Sequence, residues 1–319
     1  MITMPNKMAA RLFFLLAVLS ICLSCGDTAA TKEAAAAGST KDAIIFSVNA
    51  YSFSDLLSAK DFRDEEQVYT LFNLLEWCHD RGIKGLDPTA YFFPTYPEVP
   101  SDDYLKIFRE RAAEYGIVIT GTGIRNDFAN PDPGIRAEGV ARAKEWIVAA
   151  SKLGAPVLRC FAGEIPEGYK DNWEEPAGWM IECYKELIPL AAEHGVKIGI
   201  QNHGDMLQTA AQCLYILEKI DSPWAGIIID TGNFTTADPY KDIEQLVPYA
   251  VNWQVKEFTD GYGGHIRTDY EKLVRIIVKG GYEGFVPVET LKVGGESYDP
   301  FARVIQMLAD LNAQLALNP

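Results

Sequence analysis

Histidine is scarce in this chain: 319 residues contain four. Of the six cysteines, the four beyond residue 41 include no CxxC pair, so a zinc-type cysteine cluster is excluded there. Basic charge is short as well. Lys and Arg number 29 against 44 Asp and Glu, a formal net charge of −15. That balance lacks the basic face a nucleic-acid partner requires, and it leaves room for a small neutral or cationic ligand. The apolar run Leu12 to Leu23 is too short to span a bilayer comfortably. No GxGxxG or Walker loop follows the first strand-like run, so a doubly wound nucleotide-binding sheet has no support.

What is present begins with a targeting segment. Lys7 and Arg11 precede the apolar run, which ends Leu23-Ser24-Cys25-Gly26. That ending resembles the lipobox of bacterial lipoproteins, although Cys22 stands where Leu is usual; an ordinary secretory signal peptide is the alternative. Residues 1–25 are therefore read as a lipoprotein signal peptide and 26–41, small and polar, as a flexible tether. Export and membrane attachment through a lipid on Cys25 are expected, facing either the periplasm or the cell surface. Cys78, Cys160, Cys183 and Cys213 fall within strand or helix patterns and read as core thiols rather than a disulfide framework.

From residue 42 to the end, strand and helix patterns alternate. Apolar runs at 43–48, 83–86, 117–122, 157–161, 196–202, 225–230, 252–256 and 284–289 are each followed by a helical pattern, the first over 66–80 and the last over 299–311. Ser101 has the character of an N-cap and Gly195 that of a C-cap. Eight units in succession predict a single-domain (β/α)8 TIM barrel over 42–319, with its active site at the C-terminal ends of the strands.

Four of those ends are polar. Strands five to eight close on Gln201, Asp230, Gln254 and Glu289. Ile227-Ile228-Ile229 suits a strand covered on both faces, so a carboxylate ending it needs a metal, a cation or a hydrogen-bond network. Period-two phasing turns Gln201 inward with Gly199 and His203, Asp230 with Ile228, Gln254 with Asn252 and Lys256, and Glu289 with Pro287 and Phe285. Asp230 is open to two readings: a metal ligand, or the partner of Lys256 in a structural ion pair.

At these residues the chain resembles the xylose isomerase-like TIM barrels, the sugar phosphate isomerase/epimerase superfamily that also includes endonuclease IV. The resemblance covers residues 42–311. It implies one divalent metal held by Glu, Asp, His and Glu, positions that become Gln201, Asp230, Gln254 and Glu289 here, with Asn233 where many members carry His. Further echoes are the run GYEGFVPVE, Lys256 and the loop Arg125-Asn126-Asp127-Phe128. Four oxygen donors suit Mg²⁺, Mn²⁺ or Ca²⁺ better than Zn²⁺. Two glutamates exchange a proton next to a carbonyl in the epimerases; Gln201 cannot accept one, which leaves Glu289 as the base, assisted by Lys256 or His203. Arg125, Asn126, Arg159, Asn202 and His265 are the expected substrate contacts, and Tyr91, Phe92, Phe93 and Tyr96 a candidate sugar-stacking wall. His79 and His194, at helix ends, are explained by the helix dipole.

The expected function is a sugar isomerase or epimerase acting on an unphosphorylated carbohydrate, since sugar phosphates are mainly cytoplasmic. A 3-keto-glycoside eliminase or hydratase, which needs one good base, is the alternative, and a carbohydrate-binding lipoprotein without turnover the other. Endonuclease activity would need a His-rich multi-zinc site and a basic channel, which this composition lacks.

Overall fold

The computed structural model describes residues 43–59, 68–260, 265–292 and 297–318. The expected leader and tether lie outside the described residues. Among the described residues there are nine strands: β1 Ile44–Asn49, β2 Gly85–Asp87, β3 Val118–Ile119, β4 Thr122–Gly123, β5 Val157–Phe161, β6 Lys197–Gln201, β7 Ala225–Asp230, β8 Ala250–Lys256 and β9 Gly284–Glu289. All pair in parallel, in the order β3-β2-β1-β9-β8-β7-β6-β5-β4. β3 pairs with β2 and β4 with β5, so the two are halves of one barrel strand, broken at Thr120-Gly121, that brings the ends of the sheet together. With this correction to the single run expected over 117–122, the chain is an eight-unit (β/α)8 barrel.

Among the described residues eight α-helices cover it: α1 Leu71–Asp80, α2 Asp102–Glu114, α3 Pro133–Leu153, α4 Glu174–His194, α5 Ala210–Ile220, α6 Pro239–Leu246, α7 Tyr270–Lys279 and α8 Pro300–Leu317. Their starts follow local chemistry. Ser101 caps α2 by accepting from Tyr104 N, Thr209 and Gln212 form a capping box on α5, and Asp269 caps α7. α1 starts at Leu71, behind Thr70, whose amide donates to Asn73 Oδ1 at 2.8 Å; residue 66, where the helical pattern begins, lies outside the described residues. α8 runs six residues past the expected 311, its apolar side continuing to the buried Leu315. Cys78, Cys160, Cys183 and Cys213 are free and buried, and burial pushes the Cys160 and Cys213 thiols up to about 12.

The barrel interior has an apolar floor below a polar mouth. Ile228 points inward as the phasing requires, and Gly199 leaves it the space. A Cβ on Gly199 would lie 2.6 Å from Ile228 Cδ1 and 2.7 Å from Val157 Cγ1. Asn252 Nδ2 donates to Asp87 Oδ2 at 2.8 Å across the interior, 165 residues away in sequence. Burial raises the Asp87 carboxyl to about 6, with Arg159 and Asn252 opposing.

Candidate active site

Strand register places the functional side chains. Asp230 stands beside Gln254 across β7 and β8, and Lys256 beside Glu289 across β8 and β9. Asp230, Lys256 and Glu289 end their strands, Gln254 lies two residues before the end of β8 in the same phase as Lys256, and all four are buried. Lys256 Nζ bonds Glu289 Oε1 and lies 3.3 Å from Asp230 Oδ2. Burial alone would discourage the ammonium, but the two carboxylates outweigh it and hold the Lys256 pKa above the ordinary lysine range. Every contact seen on the Asp230 carboxyl is a donor. Oδ2 accepts from Gln201 Nε2 at 2.7 Å as well as facing Lys256, and Oδ1 accepts from Gly232 N at 3.0 Å. Of the two readings left open by the sequence, the ion pair with Lys256 is the arrangement present.

The amides complete a donor–acceptor chain. Arg159 Nη1 donates to Gln201 Oε1 at 3.0 Å, and Gln201 Nε2 donates to Asp230 and, at 2.5 Å, to Gln254 Oε1. Because a guanidinium can only donate, the Gln201 oxygen must face Arg159 and its NH₂ must face the carboxylate. Arg159 also bonds the Tyr91 hydroxyl and packs 4.0 Å over the Phe161 ring.

These groups open into a cavity of about 220 Å³. Gln201, Gln254, Lys256 and Glu289 line it from the strand ends of β6, β8 and β9. Arg125, Arg159, His203 and Asn233 line it with Tyr51, Thr89, Tyr91 and Phe161. Its volume falls below the roughly 300–1,000 Å³ of pockets for drug-sized ligands, which fits a small polar molecule. Asp230, with no exposed surface, is beneath the lining, and Glu289 is the one carboxylate in it among the described residues. Burial, with Arg159 and Lys256 nearby, lowers the His203 pKa to about 4, so its imidazole is neutral at pH 7.

Of the expected substrate contacts, Arg125 and Arg159 reach the cavity; Arg125 Cζ lies 4.5 Å over the Tyr91 ring. Asn126 instead holds the backbone of Phe161, donating to its oxygen at 2.9 Å and accepting from its amide at 2.8 Å. Asn202 does the same for Asp230, at 2.9 and 2.7 Å. Both fix strand ends rather than line the cavity. His265 is exposed and outside the lining; its amide donates to Asp260. Tyr91 belongs to the cavity wall, whereas Phe93 is fully buried against Phe108 and Trp146. Tyr51 and Phe161 were missed, yet each lies two residues beyond an inward polar residue, Asn49 and Arg159, so the same period-two rule reaches them.

A divalent ion does not fit this donor set. Among the described residues no group of three or more His, Cys, Asp or Glu converges. The two carboxylates of the expected ligand set already face an ammonium, and Gln201 presents N–H rather than oxygen to Asp230.

Solved structures share the fold at low identity. D-psicose 3-epimerase from Clostridium cellulolyticum H10, crystallised with D-tagatose, is similar with a TM-score of 0.67 at 16% identity, over 85% of this chain and 99% of that one. The IolI protein, whose crystal structure holds a zinc atom, is similar with a TM-score of 0.65 at 16% identity, over 85% and 97%. The alpha subunit of a C-glycoside deglycosidase from Microbacterium trichothecenolyticum is 27% identical over 150 residues, 44% of this chain and 35% of that subunit. The family model of the xylose isomerase-like TIM barrel matches residues 75–311, and the chain belongs to that family.

Proposed function

We propose that the protein is a sugar isomerase or epimerase-like enzyme that removes a proton from the carbon next to a carbonyl of an unphosphorylated carbohydrate. The observation that carries this reading is Glu289 as the lone carboxylate on a small cavity whose other charged groups are the cations Lys256, Arg159 and Arg125. The Glu289 carboxylate takes the proton, and the C–H electron pair moves onto the substrate as an enolate. Lys256 and Arg159 stabilise the oxygen on which that charge develops. Return of the proton to the former carbonyl carbon, with the neighbouring hydroxyl proton passing to the former carbonyl oxygen, completes an isomerisation. In an epimerisation, neutral His203, on the same cavity, would be the group that takes a proton from another side while a protonated Glu289 returns one.

Gln201 favours a second reading. With an amide where a second carboxylate would stand, a one-base elimination is the simpler chemistry: the enolate of a 3-keto-glycoside expels the aglycone as its leaving group. Similarity to a C-glycoside deglycosidase supports that alternative. Export as a lipid-anchored protein, which rests on the sequence of residues 1–41, supports an unphosphorylated substrate.

Ketoses and 3-keto-glycosides incubated with the protein in D₂O, followed by NMR, test both. Deuterium at the carbon next to the carbonyl, lost in Glu289→Gln, is the expected result. An unsaturated product without exchange into recovered substrate selects the elimination. Saturable binding with neither exchange nor product would replace the enzyme with a carbohydrate-binding protein.

A further inference from the structure

We propose that the Lys256 ammonium is the resident cation of this barrel mouth, taking the place that the family resemblance assigns to a divalent metal, so that the site is complete without one. This concerns the site on which the proposed reaction rests, but it holds or fails independently of turnover.

Three observations carry it. Lys256 Nζ contacts both carboxylates of the four-position set, Asp230 and Glu289. Formal charge agrees: Glu, Asp and Glu with a divalent ion sum to one net negative charge, and Asp230 and Glu289 with one ammonium sum to the same. The two amide positions are therefore matched to the lower charge of the cation. Each amide oxygen also already accepts one hydrogen bond, Gln201 Oε1 from Arg159 and Gln254 Oε1 from Gln201. An ion entering here would have to displace the ammonium and break that chain.

The position of Lys256 is built in rather than incidental. Its backbone amide donates to Thr231 Oγ1 at 2.8 Å, and its carbonyl accepts from Thr268 Oγ1 at 2.6 Å. Its aliphatic stem runs over Gly232, where a Cβ would lie 2.8 Å from Lys256 Cγ and 2.9 Å from Phe258 O. The bare backbone two residues after Asp230 is what lets the stem pass toward the two carboxylates.

Mn²⁺ titration of the full chain, without sugar, tests this by calorimetry and by the shift in Tm. The wild type is expected to show no stoichiometric binding and no shift, and to carry no bound metal when purified without chelator. The double variant Lys256→Met, Gln201→Glu removes the ammonium and adds a carboxylate, so it is expected to bind one Mn²⁺ and gain Tm with it. One Mn²⁺, Zn²⁺ or Mg²⁺ per wild-type chain, lost in Asp230→Asn, would overturn the proposal. So would a folded double variant that ignores Mn²⁺, because the ammonium would then not occupy a cation position. Should that variant not fold, the wild-type titration decides alone. Turnover does not enter these readouts, so a negative result for the reaction leaves this one standing, and the reverse.

Discussion

At the scale of single residues, the site separates chemistry from support. Glu289 faces the cavity and Asp230 lies beneath it, although both contact Lys256. Glu289→Gln is therefore expected to lower kcat on the order of 10²-fold or more while ligand binding changes little, because Lys256 keeps Asp230 as a partner. Single-turnover rates and a binding isotherm on the same variant check it; an unchanged rate would remove Glu289 as the base. Titration supplies a second expectation. His203 has its pKa lowered to about 4, so between about 6.5 and 4 the unfolded chain takes up a proton that the folded one refuses. Its contribution to stability is complete above the unfolded value and is lost as pH falls. Asp87, raised to about 6, has the opposite sign: its contribution is complete below the unfolded value near 3.8 and is lost as pH rises through 6. Between pH 4 and 6 the two slopes oppose one another. Relative to wild type, His203→Asn is expected to make stability fall more steeply with rising pH in that window, and Asp87→Asn to make it rise. Urea denaturation at several pH values measures both, and parallel curves for the three proteins would contradict the assignment.

At the scale of elements, much of the molecule was legible because parallel strands under helices leave a simple trace: apolar runs that end at polar residues. Gln201, Asp230 and Glu289 end their strands as expected, β8 runs two residues past Gln254 to Lys256 in the same phase, and Ile228 fills the interior opposite Gly199. What the pattern could not reveal was where side chains reach. Lys256 shares its phase with Gln254, but that its ammonium spans Asp230 and Glu289 depends on a stem laid over Gly232. Asn126 and Asn202 are expected as substrate contacts from the family resemblance; an amide with both a donor and an acceptor can equally clamp a peptide unit, and here each does. The break at Thr120-Gly121 was hidden because two-residue half-strands carry too few side chains to show a period. The packing of β6 on β7 is open to a direct check. Gly199→Ala should cost about 1–3 kcal/mol through overpacking, and combination with Ile228→Val should recover part of it. Strict additivity of the two changes in a denaturation cycle would mean that they do not meet.

At the scale of the whole molecule, an acidic chain surrounds a mouth lined by cations, an arrangement that suits ligands selected by the cavity rather than by the long-range field. The proposed lipid anchor has its own measurement. Cys25→Ala is expected to move the protein from the membrane fraction to the soluble one without changing its melting temperature, and a soluble wild type would end that proposal. The ring of strands also has a consequence for how the protein is made. β9 lies between β1 and β8, so Glu289, 33 residues after Lys256, reaches its partner only when the last strand enters beside the first. On a ribosome, every earlier length of nascent chain lacks the base that the finished cavity presents. A quality-control system that handled such an intermediate would meet a cavity without its proposed base, and the onset of the proposed activity would report that the ring had closed.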